Sequence, residues 1–387
     1  MALQIAMPKL EWSDLPTDLL GLILKKLDLF DLFRFRWVCC SWNLAVQSYM
    51  ASHSYTSPPQ NPWLMRLDED DGKANISFLS QEGNKVFQVN NVFGELAWCF
   101  GSTKGWLVIL DRTKILNLVN PLSGGKIQLP LVPKYNGLDY YPKKYNGRLP
   151  TRPYITKAVL LSDPTRTKDF AIVVRYRYIG RLTFCKFGDN KWTEFGGKKY
   201  HDMICHSSNG QLVVAYGNLV VEVWDFQGAF PTKVGRFRSS SRPLVPPQVK
   251  TLVGTVVHSK MAKDLYFQFY LVESMGEILV LLRLAFLYTG TEDSSTFTFA
   301  AFKVDYSGKE FGMVYNLVGR ALFISRNESV STTTHPQYKE NSIYFTEDYY
   351  PNDNARKIGV CNLGDAITNI IDIQPSNCSW CTWFVPS

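Results

Sequence analysis

The chain has 387 residues, of which 45% are hydrophobic and 14% aromatic, and a formal net charge of +8. This composition favours packed globular domains over broad disorder, and the length suits a small module followed by one large domain or two ordinary ones. No stretch reaches the roughly 18 uninterrupted apolar residues of a membrane span, and residues 1–12 lack the features of a signal peptide, so we expect a protein of the cytosol or nucleus. Its eight cysteines are too sparse for a disulfide scaffold and are expected to be reduced.

The first segment, residues 12–50, has the pattern of helices. Pro16 suits a first helical turn, because proline lacks the N–H that would stay unpaired there. About 40 residues of helix cannot bury so many large side chains by themselves, and acidic and basic residues are too evenly balanced for a membrane-surface helix. We therefore expect another protein to cover the apolar face, which contains Leu19, Leu20, Ile23, Leu24 and Leu27.

This segment resembles the F-box over essentially its whole length, through Leu15-Pro16, the aliphatic stripe to Leu27, Leu32, Arg36, Val38-Cys39 and Trp42. The resemblance implies a three-helix module that binds a Skp1-type adaptor and, through it, the cullin and RING subunits of a ubiquitin ligase. Trp37 and Cys40 depart from the usual pattern. Packing inside the module is the alternative role for every matching side chain. The residues implied to face the adaptor or form the motif core are Leu15, Pro16, Ile23, Leu27, Leu32, Val38 and Trp42.

After the F-box, assigned to residues 9–50, we predict a connector over 51–72 and a sheet-rich domain over 73–387. Prolines and short polar residues fill positions 51–62, and residues 68–71 have the pattern of an exposed acidic turn. Further on, short runs of aromatic and β-branched residues alternate with Gly, Asn, Asp and Ser, as strands alternate with turns.

The strands recur in units. A glycine turn leads into an apolar strand at three places, and a strand ends on Asn or Asp before a turn at four, namely Asn120, Asp225, Asp305 and Asn362. Repeated four-strand units are typical of a β-propeller, because each twisted sheet hides its faces only against its neighbours. The predicted units lie near 97–130, 155–196, 203–238, 265–317 and 321–373, and a sixth joins Ile76–Val89 to Trp380–Val385.

The predicted fold class is thus α+β, mainly β, with a small N-terminal three-helix F-box and a β-propeller of six blades. Five or seven blades also fit the irregular spacing, and a pair of β-sandwiches is the alternative. The second domain resembles the plant F-box proteins of the KIB type, which gives the family but no substrate. The segments that carry this resemblance are FGSTKGWLVIL, LNLVNPLSGGKIQLP, NGQLVVAYG, FKVD and CTWFVP.

Motifs for chemistry are sparse. The sequence has no G-x-x-x-x-G-K-[ST], H-E-x-x-H or G-x-S-x-G, so we predict neither catalysis nor a cofactor. Cys378 and Cys381 have the spacing of half a zinc site, which His201, Cys205 or His206 would have to complete, but packed thiols are the favoured interpretation. A propeller enzyme would need clustered ionisable side chains in its central channel, and sequence alone does not locate any.

The middle of the chain is basic, since residues 131–200 contain 15 Lys and Arg against 5 Asp and Glu. Within it lies a long insertion rich in Tyr and basic residues, from Lys134 to Pro153. Long loops on rigid scaffolds often bind partners, although a solvated loop is the alternative. The candidate substrate-contacting residues there are Lys143, Lys144, Arg148 and Arg152.

Taken together, the sequence predicts the non-catalytic substrate-recognition subunit of an Skp1-cullin-F-box (SCF) ubiquitin ligase. Its partners would be a Skp1-type adaptor and an unknown protein substrate, with no membrane. The alternative is an adaptor-bound scaffold that does not direct degradation, or a propeller that binds nucleic acid through its basic middle. The nucleic-acid alternative predicts an affinity that falls steeply with salt.

Overall fold

A computed structural model describes residues 12–52, 62–70, 73–80, 85–89, 98–111, 115–121, 123–132, 155–176, 180–238, 262–288, 294–308, 310–333, 338–346, 357–364, 368–372 and 378–385. The chain divides into two compact units, residues 1–60 and 61–387, which are described separately. No helix in the described part of the chain is long and apolar enough to cross a membrane.

The first unit contains three α-helices, as predicted. Pro16 stands at the N-cap of the first helix, and the Asp28 carboxylate caps the second by accepting a hydrogen bond of 2.8 Å from the amide of Asp31. Residues 28–31, which interrupt the apolar pattern of the segment, therefore start a new helix. A short 3-10 helix at Trp12–Asp14 precedes α1 (Thr17–Leu24), α2 (Leu29–Arg36) and α3 (Cys40–Ala51).

The described residues of the second unit form six sheets, the six blades of a β-propeller, which confirms the predicted fold. We number the blades in chain order. Blade 1 contains β1 (Trp63–Asp70), β2 (Lys73–Ser80) and β3 (Lys85–Val89); blade 2, β4 (Trp98–Thr103), β5 (Trp106–Leu110), β6 (Leu116–Val119) and β7 (Lys126–Gln128); blade 3, β8 (Ile155–Leu160), β9 (Ala171–Tyr176), β10 (Leu182–Lys186) and β11 (Thr193–Phe195). Blade 4 contains β12 (Tyr200–Cys205), β13 (Leu212–Tyr216), β14 (Val220–Asp225) and β15 (Thr232–Arg238); blade 5, β16 (Ala262–Ser274), β17 (Glu277–Tyr288), β18 (Ser294–Asp305) and β19 (Glu310–Val314); blade 6, β20 (Arg320–Ile324), β21 (Ser329–Thr333), β22 (Ser342–Thr346), β23 (Lys357–Asn362) and β24 (Thr368–Asp372).

The last strand, β25 (Cys378–Phe384), closes the ring by pairing antiparallel with β1. Leu64 pairs with Trp383 and Leu67 with Trp380, so the predicted union of the two ends in one blade is confirmed. Strand β1 also corrects the predicted connector, because it lies within residues 51–72. Residues 68–70, interpreted from their charge as an exposed turn, continue the ladder as partners of residues 73–75.

The Asn and Asp residues that end the third strand of several blades organise the turns that follow. The Asn120 side chain accepts a hydrogen bond from the amide of Ser123 at 2.8 Å, and Asp225 and Asp305 accept from amides two residues ahead at 2.8 and 2.9 Å. Such side chains replace the backbone acceptor of a turn. The recurring polar residue is therefore a turn signal, as its position predicted.

The hydrophobic core lies between neighbouring blades. One cluster joins blades 2 and 3 through residues such as Val108 and Ile172, and another joins blades 4 and 5 through Val213 and Leu282. Similar clusters join blades 3 and 4, blades 5 and 6, and blades 6 and 1. At these five junctions neighbouring sheets bury their faces against each other, which explains why many strands are apolar on both faces.

Blade 6 departs from the repeated pattern. Its strand order is β21-β20-β22-β23-β24, and β20 pairs parallel with β22 instead of antiparallel. The hairpin of β20 and β21 therefore places β21, the later strand, at the edge of the sheet. The corresponding edge strands are β25 in blade 1 and β4, β8, β12 and β16 in blades 2 to 5. Each of these strands contacts the edge strand of the next blade, from β25 and β4 through to β16 and β21. These six strands line the centre of the ring.

Candidate functional site

The helical unit exposes an unusual number of large apolar side chains. Trp12 is 75% exposed, Leu22 60%, Trp37 68%, Val38 57% and Leu44 62%. Scattered exposed apolar residues are ordinary, but these five and Leu19, which is 47% exposed, all lie within 33 consecutive residues, a density that suits contact with a protein partner. We call these five side chains the exposed face of the F-box.

The predicted apolar stripe contains both buried and exposed side chains. Leu20 and Leu24 of α1 are buried, whereas Leu19 on the same helix is exposed. Among the residues assigned to the adaptor or the motif core, Leu32 is buried, Leu15, Ile23, Leu27 and Trp42 are half-buried, and Pro16 and Val38 are exposed. Pro16 and Val38 are therefore the two best placed to contact a partner, and Leu32 packs inside.

Trp42 holds the helical unit together. Its ring stacks on Phe35 with the centroids 4.0 Å apart, and its Nε1 donates a hydrogen bond of 3.0 Å to the carbonyl of Trp12. Beside it, the Ser41 hydroxyl donates to the carbonyl of Ser13 at 3.0 Å. The start of α3 is thereby fixed to α2 and to the 3-10 helix, which supports the packing role of Trp42.

The junction between α2 and α3 is also held by polar contacts. Arg36 Nε donates to Asn43 Oδ1 at 3.0 Å, and partial burial lowers the pKa of this guanidinium. Cys39 stands at the N-cap of α3, where a hydrogen bond shared with the Ser41 hydroxyl and one from the Trp42 amide lower the pKa of its thiol. Because both sides of the junction are fixed, Trp37 and Val38 are presented at its surface.

In the propeller, a cavity of about 420 Å³ lies among the central strands and is lined by residues of blades 2 to 6. Its wall includes Lys157 from β8, whose Nζ lies 2.8 Å from Asp202 Oδ1 on β12, with both side chains almost fully buried. The other oxygen of Asp202 accepts a hydrogen bond of 2.7 Å from the amide of Leu271 on β16. The buried charges of this pair are therefore compensated by each other and by the backbone.

Two more carboxylates line the cavity. Glu273 accepts hydrogen bonds of 2.6 Å from both the amide and the hydroxyl of Ser207. Glu328, in the turn between β20 and β21, accepts one of 3.2 Å from the amide of Ser329. Burial raises the pKa of Glu328 to about 8, and the attraction of Lys157 only partly opposes this effect. Glu328 is therefore mostly protonated at neutral pH.

Sequence reasoning missed this cluster of ionisable residues in the channel. The available signal was a charged residue inside an apolar strand, such as Lys157 in ITKAVL and Asp202 in YHDMIC. The sequence does not show the arrangement of blades that brings Lys157 and Asp202 together. Glu328 had no such signal, because its place depends on the inward hairpin of blade 6.

Other predicted sites have different outcomes. The candidate substrate residues Lys143, Lys144, Arg148 and Arg152 lie outside the described residues. In the described part of the chain, no three His, Cys, Asp or Glu side chains are grouped to hold a metal ion. Cys205 Sγ instead donates to the carbonyl of Leu161 at 3.3 Å, and burial raises the pKa of this thiol to about 11.

Comparison with known proteins now places the chain. A family model described as the KIB1-4 β-propeller matches residues 78–362, and an F-box domain model matches residues 12–50. The chain belongs to the KIB1-4 β-propeller family. The family assigned from sequence motifs is confirmed, and so is the F-box.

Relatives of this family occur among curated plant proteins. One Arabidopsis thaliana F-box protein is 25% identical over 88% of this chain and 85% of its own length. A second is 23% identical over 98% and 97%, and the Arabidopsis F-box/kelch-repeat protein KIB1 is 24% identical over 89% and 80%. Among solved structures, a functionally unknown protein from Desulfotomaculum acetoxidans covers 84% of this chain and 100% of its own, with 10% identity and a TM-score of 0.39.

Proposed function

We propose that this protein is the substrate-recognition subunit of an SCF ubiquitin ligase. Its F-box binds a Skp1-type adaptor, the adaptor connects it to cullin and RING subunits, and the propeller binds a protein to be ubiquitinated. The match of residues 12–50 to the F-box model carries the proposal, and the exposed face of the F-box supports it with the apolar surface that such docking requires.

An F-box joined to a propeller is an architecture typical of non-catalytic adaptors. In the proposed role the chain contributes proximity, since holding a substrate near a conjugating enzyme raises the effective concentration of its lysines. No active-site residue of its own is required for that contribution. The proposed role also places the protein in the cytosol or nucleus.

Adaptor binding is the test of this function. We expect Val38→Asp to weaken binding to a purified Skp1-type adaptor by about tenfold or more, because docking would bury a carboxylate without a partner. Isothermal titration calorimetry with the full chain measures the change. Val234→Asp is the matched control, since Val234 is 56% exposed in the propeller and Val38 is 57% exposed in the F-box.

The double change Leu15→Ala and Pro16→Ala tests the start of the same module. Pro16 is exposed and Leu15 half-buried, so adaptor binding should fall together with some stability of α1. Circular dichroism separates the two effects. Adaptor affinity that is unchanged in both this variant and Val38→Asp would refute the docking assignment.

A further inference from the structure

The cavity at the centre of the propeller has the features of a built site. It is enclosed by Lys157 on β8, residues near the end of β12, and the turn that follows β16. At that turn Met275 is 74% exposed, so the cavity meets solvent on this side of the ring.

The charged groups in the wall of the cavity differ in the number of hydrogen-bond and ion-pair partners that they have. Lys157 and Asp202 form an ion pair of 2.8 Å, and Glu273 is held by two hydrogen bonds from Ser207. Glu328 accepts a 3.2 Å hydrogen bond from the Ser329 amide, and the attraction of Lys157 and Lys104 offsets only part of the effect of burial on its pKa.

Ser329 adds a second unmet group. Its side chain is 9% exposed and lines the cavity, and its hydroxyl oxygen has no hydrogen-bond partner among the described residues. A buried hydroxyl without a partner costs about 1–3 kcal/mol and calls for an explanation. The carboxylate of Glu328 and the hydroxyl of Ser329, which are adjacent in sequence, are thus both able to accept hydrogen bonds from a ligand.

We propose that this cavity binds an alkylammonium or guanidinium group, with Glu328 as the counterion and the Ser329 hydroxyl as a second acceptor. Resting on the proposed function, the source would be a Lys or Arg side chain of the protein substrate. A small free amine offers the same chemistry, and the experiment below separates the two sources.

The shape and chemistry of the wall suit such a group. The nitrogen atoms of an alkylammonium or guanidinium group only donate hydrogen bonds, and the carboxylate of Glu328 and the hydroxyl oxygen of Ser329 can accept them. Val159 and Met203 also line the cavity and can cover the methylene stem that carries the charge. Lys104 and Lys157 also line the cavity and oppose a second cation, but Lys157 is already paired with Asp202 at 2.8 Å.

The charge of Glu328 links this binding to pH. With a pKa of about 8, most Glu328 is protonated at pH 7, and a cation must displace that proton to form the ion pair. The ionised fraction, and hence the affinity, should rise by about tenfold or more from pH 6 to pH 8. The charged and titratable groups that face Glu328 from the neighbouring strands are Lys104, Lys157, Asp202, Cys205 and Glu273.

The test uses the full chain, without adaptor, and three probes in isothermal titration calorimetry at pH 8. N-acetyl-L-arginine amide supplies a peptide-like guanidinium, n-propylguanidine supplies a free one with the same single charge, and N-acetyl-L-citrulline amide has the shape of the first without its charge. We expect the arginine compound to bind about tenfold or more tightly than the citrulline compound. Tighter binding of the arginine compound than of n-propylguanidine indicates a protein side chain, and the reverse order indicates a small free ligand.

Variants identify the site. Glu328→Gln should abolish both the preference for charge and the pH dependence, and Ser329→Ala should weaken binding while the pH dependence persists. Glu310→Gln, an exposed change on the outer strand β19, is the control. The pH dependence also separates Glu328 from His206, whose Nδ1 lies 3.8 Å from Glu273 Oε1, because a contribution from His206 would survive in Glu328→Gln.

Equal binding of the arginine and citrulline compounds, or unchanged binding by Glu328→Gln, would overturn this proposal. Neither result bears on the docking of the adaptor, which is measured on the F-box with the propeller unchanged. Failure of Val38→Asp to weaken adaptor binding would in turn leave the measured cation site in place. The two proposals therefore stand or fall separately.

Discussion

At the scale of single residues, Glu328 combines a functional and a destabilising role. Burial in the cavity raises its pKa from 4.5 to about 8, while in the unfolded chain the same carboxyl is surrounded by water. Above pH 4.5 the unfolded state therefore releases this proton before the folded state does. The free energy of unfolding contributed by this group is fully present below pH 4.5 and is lost as the pH rises towards 8.

This linkage predicts the effect of Glu328→Gln on stability. The variant should raise the melting temperature relative to the parent chain, by a larger amount at pH 8.5 than at pH 5, because glutamine cannot ionise. Scanning calorimetry across this range measures the difference, with Glu310→Gln as the exposed control. A difference that stays the same at every pH would show that the carboxyl is not desolvated in the folded chain.

Trp42 shows how one residue can match a motif and still act inside the fold. Its stacking on Phe35 and its hydrogen bond to the Trp12 carbonyl fix three pieces of the F-box to one another. The exposed neighbours Trp37 and Val38 depend on that rigidity for their position. In the proposed complex, Trp42 would support the surface from within the F-box, and exposed side chains such as Val38 would contact the adaptor.

At the scale of elements, the inner strands of blades 3, 4 and 5 are connected by one polar chain. Lys157 on β8 bonds to Asp202 on β12, which accepts the amide of Leu271 on β16. The apolar clusters join blades two at a time, whereas this chain joins three. It fixes the positions of the strands around the cavity as well as their separation.

Breaking this chain should be costly. We expect Lys157→Met to lower the free energy of unfolding by about 3–5 kcal/mol, since Asp202 would stay buried without its cation. Lys303→Met is the matched control, because Lys303 and Glu277 also pair closely, at 2.6 Å, but are 46% and 36% exposed. The control should lose only about 0–1 kcal/mol. Urea unfolding compares the two, and equal losses would argue against a special role for the buried pair.

At the scale of the whole molecule, closure of the ring depends on its last strand. β25 supplies the inner edge of blade 1, and its Trp383 is fully buried against blade 6, where the indole donates to the carbonyl of Ile324 at 3.2 Å. The Ser325 and Thr382 hydroxyls, 2.6 Å apart, add a second link. One strand thus joins blades 1 and 6.

Removing that strand tests closure. A chain ending at residue 377 should lose cooperative unfolding and soluble yield, because β1 would expose an unpaired edge and the core shared with blade 6 would open. A chain ending at residue 385 keeps β25 and should unfold like the parent. Calorimetric transitions of equal sharpness in the two chains would contradict the assigned closure.

Sequence alone determined much of this protein, since the signals concerned were local. The apolar stripe of the F-box segment and the polar residues that end strands act within a few positions of the chain, and they indicated the helical segment and the repeated sheets. The number of helices came from the resemblance to the F-box, and the cap at Asp28 was seen only in the structure. Closure of the ring could also be predicted from the sequence, because the strands near the two ends of the chain form a complete blade only when they are combined. Charge was a poor guide at residues 68–70, where an acidic segment expected to be an exposed turn is part of a strand.

The tertiary structure decided which side chains meet. Lys157, Asp202 and Glu328 come from three blades and are separated by 45 and 126 positions in sequence, so no local pattern brings them together. The inward hairpin of blade 6 is also a matter of packing, since it puts β21 where other blades place their first strand. The physical reason is that a turn is set by its own residues, whereas a cavity is set by the distances between sheets whose packing the whole ring fixes.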